Sequence, residues 1–528
     1  MAKGDIMSNH TRRDFLKAGA VLAAGAGLTG MLSGYTENKV RIGAPESWTH
    51  EADLVVIGLG AAGIAAAITA QKAGGTVIIL EKMDRENSGG ATCCYGGNIN
   101  PKAPELIKMS SFYTWDDDRA NKVSEKSNEW ADWQCTLGFP YSEVETAGLV
   151  SRNANEGGLD VYNHMVDFVA PLDNVEIMFE TPAISLYQDG ATKEILGVVA
   201  IQNGEEIAVK ANKGVVLATG GYEANPDLIH SLNFPAIDFT SMGGPARTGD
   251  GMIMGAAAGG QIGNIVQNIE WHIFACRKAT EEIGTGIVLE WPSTTGPVFV
   301  NAAGKRFMDE DLVLSHNKSQ MPFLEFNGRF TNVVDHESRG YPNLPLWAIW
   351  DQTAVSEQKL GGSKKANETF AIAHGFEWSD DNSEEIEKGW IVKADTIEEL
   401  ASKLSSTTPW GDPVTVDAEG LKATIDQYNA YVEAGEDLDF SRKAENMKPV
   451  LTPPFYATEM LPNILYTMNG LVNNANSQVV DPFGEPIPRL YSAGDISQGV
   501  IFVVIGVVGC MALGQIAAEH AMALDSWQ

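Results

Sequence analysis

Three glycines in the run Gly58-Leu-Gly-Ala-Ala-Gly63 sit between an apolar stretch, Asp53-Leu-Val-Val-Ile-Gly58, and a small-residue stretch, Ala61 to Ala73. Each glycine has a mechanical use at such a junction. Gly58 permits a tight turn, Gly60 lets the backbone approach a pyrophosphate, and Gly63 lets a helix pack closely on a strand, with Ala62 beside it. The start of that helix presents unpaired N–H groups and the positive end of its dipole, which suits phosphate. A second apolar run, Thr76-Val-Ile-Ile-Leu80, ends at Glu81 and Lys82, about 20 residues on. A carboxylate at Glu81 can accept from both hydroxyls of a ribose, which disfavours a 2′-phosphate. The chemistry implied is dinucleotide binding.

Further glycine-rich or polar segments recur downstream. They are Asn87-Ser88-Gly89-Gly90-Ala-Thr92, Tyr95-Gly96-Gly97-Asn98, Ala218-Thr219-Gly220-Gly221, and Asp250 within Thr248-Gly-Asp-Gly251. Near the C-terminus Leu490-Tyr-Ser-Ala493-Gly494-Asp495 ends another apolar run, where Asp495 can hold a ribityl hydroxyl; Met511 and Ala512 follow. A flavin needs its nucleotide half and its ring held by distant segments, so a C-terminal half-site favours non-covalent FAD over NAD. The five cysteines form no metal-spaced set, and no Cys-x-x-Cys-His attaches a haem. No metal is expected. Cys93-Cys94 reads as two small residues in a packed turn.

These residues need elements to position them. The strand–helix–strand order around Gly58 predicts a parallel sheet and an α/β fold. Residues 175–220 alternate in short runs and read as a small antiparallel sheet, followed by a buried strand, Lys213 to Gly221. Residues from about 270 to 465 hold most of the tryptophans and acidic helical patches near 380–400 and 420–437. They read as an insertion. The expected layout is an FAD-binding domain over 52–270 and 467–528, a capping or substrate domain over 271–466, and a polar linker over 35–51. Residues 1–34 read as an export signal: Thr11-Arg12-Arg13-Asp-Phe-Leu-Lys17 precedes an uncharged Ala/Gly-rich stretch, the twin-arginine pattern. The twin-arginine translocase is then a partner, and the protein lies in the periplasm or on the outer face of the cytoplasmic membrane. Val500 to Ala518 is uncharged and long enough to span a bilayer, but its glycines and its place after Asp495 predict a buried loop and helix. The net charge of −32 argues against nucleic acid and favours solubility or a basic partner.

Taken with Val300-Asn-Ala-Ala-Gly-Lys-Arg-Phe307 and Tyr466-Thr-Met-Asn-Gly470, these segments resemble, in order over most of residues 50–528, the fumarate reductase / succinate dehydrogenase flavoprotein family in its soluble secreted branch. The resemblance implies a Rossmann-like FAD domain with an inserted cap and a site between them beside flavin N5. It implies hydride delivery to an activated alkene and a proton to the neighbouring carbon. This chain departs from the family where substrate is held. Tyr466 replaces a His; Leu314 replaces an Arg, with His316 two residues further on. Glu290 matches a proton-relay Glu, but its Arg partner becomes Ser293. The Asn-Arg-x-Gly-Gly clamp is absent after Asp495, and the His-Pro-Thr segment is missing, with His272 nearby but out of register.

A dicarboxylate needs bidentate cations to replace its hydration. With those lost and Trp291, Leu314, Phe502 and Val503 in the same region, the expected substrate is a bulkier, apolar, aromatic or steroid-like enone or enoate. Tyr466 is a candidate to bond its carbonyl, or a core tyrosine. His316 is a candidate acid, or a surface histidine. His272 is a further candidate or a packed ring, and Glu290 a relay or a solvated carboxylate. Arg306 is expected to brace the cap. Electrons must come from an external donor, such as a membrane-associated cytochrome or flavoprotein, in anaerobic respiration. Two other readings stay open: a ketosteroid-type dehydrogenase running the reverse reaction, and a flavin-binding protein without turnover.

Overall fold

The computed structural model describes residues 40–94, 99, 103–111, 114–146, 149–154, 158–232, 239–241, 245–263, 269–284, 286–289, 292–311, 341–361, 376–499 and 502–527. The elements that matter for the site are β1 (His50–Ile57), α1 (Ala61–Lys72), β2 (Val77–Leu80), α2 (Asp117–Gln134), β3 (Ala183–Gln188), β4 (Ile195–Gln202), β5 (Glu205–Leu217), β6 (Phe455–Thr467), β7 (Pro486–Ser492) and α3 (Phe502–Met522). Leu54, Val55, Val56 and Ile57 are all buried, as befits a central parallel strand covered on both faces. β1 pairs in parallel with β2 (Ile57 opposite Leu80) and with β5 (Ile57 opposite Leu217). β7 then pairs in parallel with β5, Ser492 opposite Leu217. Three strands therefore end side by side at Ile57, Leu217 and Ser492, and the turns that follow them converge.

Residues 175–220 hold the antiparallel strands expected, joined to the parallel ones. β3, β4 and β5 are antiparallel, but the long β5 also pairs with β1, so all belong to one nine-stranded sheet. Val175–Met178 pairs in parallel with β2 at the other edge. The strand foreseen from Lys213 is the second half of β5. Arg41–Ile42 and the start of β1, within the expected linker, also pair with this sheet, and Arg41 bridges to Glu206 at 2.7 Å.

α1 is buried on nearly every face because small residues let two surfaces close on it. It packs against the sheet on one side, and α3 presses on its start: a Cβ on Gly514 would lie 2.1 Å from the Ala62 carbonyl oxygen. α3 covers most of the stretch flagged for its apolarity, and its helix breaks at Gly506. No helix among the described residues is long and apolar enough to cross a membrane.

The second sheet has six strands arranged around β6, which pairs with Thr240–Ser241, Ile269–Cys276, Leu346–Asp351 and Val392–Ala394. Trp347, Trp350, Trp378 and Trp390 are fully buried beside this sheet. The acidic patches form helices Ser383–Glu387, Ile397–Lys403 and Ala418–Ala434, the last capped by Asp417, which accepts from Glu419 N. Arg306 ties this region together, its guanidinium bonding Glu310 and Asp437 at 2.7–3.1 Å. The five cysteines are free thiols, and no cluster able to hold a metal occurs among the described residues.

Candidate cofactor and active site

A cleft of about 950 Å³ opens where β1, β5 and β7 end, the carboxyl edge at which parallel α/β sheets bind ligands. Its wall contains Gly58, Gly60 and Ala62 from the first turn and Glu81 and Lys82 from the end of β2. Gly89, Gly90 and Thr92 come from the next loop, and Ala218, Thr219 and Gly220 from the end of β5. Asp250 and the turn Ala493-Gly494-Asp495 complete the set. These distant segments thus meet around one space.

The glycines divide by what demands them. Gly58 has φ +104°, and a Cβ there would lie 2.5 Å from the Ala218 carbonyl oxygen. A Cβ on Gly63 would lie 2.0 Å from the Gly58 carbonyl oxygen, so this glycine serves helix packing and does not line the cleft. Gly60 has an ordinary φ of −79°, and the nearest atom to its Cβ position is 3.4 Å away. No protein atom requires glycine there, and Gly60 lines the cleft. Thr219 Oγ1 in the cleft wall is buried without a hydrogen-bond partner, the kind of group that calls for a polar partner.

Thr92 Oγ1 accepts from Ala61 N at 3.0 Å, capping the first turn of α1 across the chain. The Glu81 carboxylate accepts from Leu59 N and Met83 N, both at 2.9 Å, which fixes its position. Burial raises its pKa, opposed by those two N–H donors. Lys82 Nζ donates to Thr248 Oγ1 and Asp250 Oδ2 at 2.8 Å. Arg247, which no sequence motif announces, also lines the cleft. Its guanidinium contacts Glu223 and bonds Asp495 Oδ2 at 3.0 Å. Burial pushes the Glu223 carboxyl up to about 8, against the pull of Arg247. Burial likewise raises Asp495.

Other sequence candidates lie elsewhere. Ser88 bonds Tyr162 OH at 2.8 Å behind the loop. Met511 Sδ accepts from Gln134 Nε2 at 3.1 Å, and Ala512 is buried in the α1–α3 core. Gly96, Gly97, Glu290, His316, Trp291 and Leu314 lie outside the described residues. His272 falls on the strand Ile269–Cys276, beside the residue paired with Ile464. Tyr466 is fully buried near the end of β6, in an apolar cluster with Cys94, Phe274 and Met468. Its neighbour Thr467 meets the turn just after Gly220 of the cleft wall: Thr467 Oγ1 accepts from Tyr222 N at 3.3 Å and would lie 2.4 Å from a Cβ on Gly221. The segment after it docks on the C-terminal turn, Leu471 N donating to the Ile496 carbonyl at 2.8 Å.

Fold and cleft together define an α/β protein that holds a dinucleotide cofactor at the carboxyl ends of a parallel sheet. The chain belongs to the FAD binding domain family, which it matches over residues 53–124 and 147–503. Residues 9–29 match the TAT (twin-arginine translocation) pathway signal sequence, which directs export across the membrane. The chain is 26% identical to NADH:acrylate oxidoreductase of Vibrio harveyi over 94% of its own length, and spans 53%, about half, of that protein. It is 23% identical to digoxin reductase of Eggerthella lenta over 98% of both chains. The open conformation of a flavocytochrome c3 fumarate reductase has the same fold, with a TM-score of 0.65 and 21% identity, covering 99% of this chain and 82% of that one. The cofactor is FAD and the protein is a flavoprotein oxidoreductase, as the resemblance to fumarate reductases implies.

Proposed function

We propose that this exported flavoprotein reduces the activated C=C bond of a bulky, apolar enone or enoate. The observation that carries the reading is the junction of β6 with the turn that follows β5, where Thr467 meets Gly221 and Tyr466 lies in an apolar cluster with Cys94, Phe274 and Met468. Relatives named for reduction of acrylate and of digoxin support a reductase, the second matching end to end. Bound FAD supplies the hydride, from N5. Gly58, Gly60 and the start of α1 hold its pyrophosphate, Glu81 its ribose and Asp495 its ribityl chain. Tyr466 hydrogen-bonds the substrate carbonyl and makes the alkene carbon electrophilic, while the surrounding apolar residues exclude water and strengthen that bond. His316, Glu290 and His272 are the candidates for proton delivery to the neighbouring carbon.

The sheet built on β6 serves as the cap. A separate membrane-associated cytochrome or flavoprotein supplies electrons after export. Turnover by purified holoenzyme with reduced viologen tests the substrate class. Bulky enones or enoates are expected to outperform fumarate; fumarate as the best substrate would overturn the reading.

A further inference from the structure

Arg247 crosses the cleft wall between two glycine turns. Cβ atoms built on Gly90 and Gly220 would lie 3.8 Å from its Cδ and 3.6 Å from its Nε. The side chain is 3% exposed, and its guanidinium is clamped by Glu223 on one side and Asp495 on the other. The clamp has a defined place along the cleft. A Cβ on Gly221 would lie 2.7 Å from Glu223 Oε2 and 2.4 Å from Thr467 Oγ1, so the clamp sits at the β6 junction, next to Tyr466. The nucleotide end is marked instead by Glu81, bonded to Leu59 N and Met83 N.

We propose that Arg247 is a cofactor-tuning residue: its guanidinium, pinned by Glu223 and Asp495 at the substrate end of the FAD cleft, makes the site favour reduced over oxidised flavin. The inference rests on the FAD assignment and is independent of which alkene is reduced. Uptake of two electrons and one proton, with the electrons from an external reductant, adds one negative charge to the cleft. A buried guanidinium stabilises that charge more than solvent does. Glu223 opposes it when ionised, and burial favours the neutral acid. The other groups facing the clamp are Cys94, pushed up to about 12 by burial, and Cys510, raised by burial and by Asp495. Both remain neutral thiols around pH 9, and the Lys82–Asp250 pair flanks the same wall.

The test is the flavin midpoint potential of the holoprotein, measured by anaerobic reductive titration against a reference dye at about pH 9, where Glu223 is ionised. Arg247→Met should cut the preference for reduced over oxidised flavin at least tenfold, a fall of about 30 mV for a two-electron couple. Glu223→Gln should shift the potential the other way, and Arg247→Lys should stay near wild type. Opposite shifts from the two partners are not expected of a clamp that only shapes the cleft. Potentials within twofold of wild-type preference for both Glu223→Gln and Arg247→Met would overturn the proposal, even if FAD binds more weakly. Glu223→Gln decides the matter alone if Arg247→Met does not fold.

Discussion

Replacing Gly60 with Ala separates the cofactor from the fold. The new Cβ meets Thr92 Oγ1 at 3.4 Å and the Gly89 carbonyl at 3.9 Å, ordinary contacts, and the backbone there needs no positive φ. Reduced freedom of the unfolded chain favours alanine by about 0.4–1 kcal/mol, while an N-cap position favours glycine by a similar amount. The cofactor-free protein should therefore keep its stability to within about 1 kcal/mol. In the FAD complex the methyl stands where the pyrophosphate must approach the backbone. Affinity for FAD should fall at least tenfold, about 1.4 kcal/mol. Gly63→Ala is the control, since its Cβ would lie 2.0 Å from a backbone oxygen and should damage fold and binding together. Denaturant unfolding of the cofactor-free protein and fluorescence titration with FAD give the two numbers. Wild-type FAD affinity in Gly60→Ala would refute this placement of the pyrophosphate.

Tyr466→Phe should lower turnover by about a hundredfold, at the low end for loss of a positioned acid or hydrogen-bond donor, with FAD content unchanged by absorbance; unchanged turnover removes the hydroxyl from the mechanism. The Glu223 carboxyl, raised to about 8 in the fold, holds its proton longer folded than unfolded. Its contribution to stability is complete below the unfolded pKa and is lost as pH rises toward about 8. Wild type should therefore lose a few kcal/mol relative to Glu223→Gln between about pH 5 and about pH 9, read from denaturant midpoints; parallel profiles would contradict the assignment. Arg306→Met leaves the buried Glu310 with Arg442 at 3.5 Å and the buried Asp437 with backbone N–H donors alone, and should cost about 3 kcal/mol, seen as a lower midpoint at constant slope. Exchanging Arg12 and Arg13 for Lys should leave the protein in the cytoplasm on cell fractionation; normal export would argue against use of the matched signal.

Short-range features were legible from residue types. The apolar run before Gly58, the small residues of α1 and the acid closing β2 each specify local structure, and β1, α1 and β2 form as their patterning implies. Pairing between distant strands was not legible. Nothing in the alternation of residues 195–217 says that β5 also pairs with β1, because that register depends on partners far along the chain. The same holds for β6, whose mixed sequence, with Glu459 among apolar residues, is organised by strands from four other regions. In the cleft, glycines and carboxylates could be foreseen because a dinucleotide demands them at fixed spacings. Arg247 and Glu223 could not, since their roles come from burial and mutual contact. Thr92 was foreseen as a cofactor residue; what its bond to Ala61 N shows is a cap on α1.

The central claim, an FAD enzyme that delivers hydride to a bulky activated alkene, is tested most directly by stopped-flow absorbance of the anaerobically reduced holoprotein. Mixing with a panel of enones and enoates, fumarate included, should restore the oxidised flavin spectrum rapidly with at least one bulky member, one mole of alkene consumed per mole of flavin, and slowly or not at all with fumarate. A flavin that stays reduced with every member of the panel, or that fumarate reoxidises fastest, would contradict it.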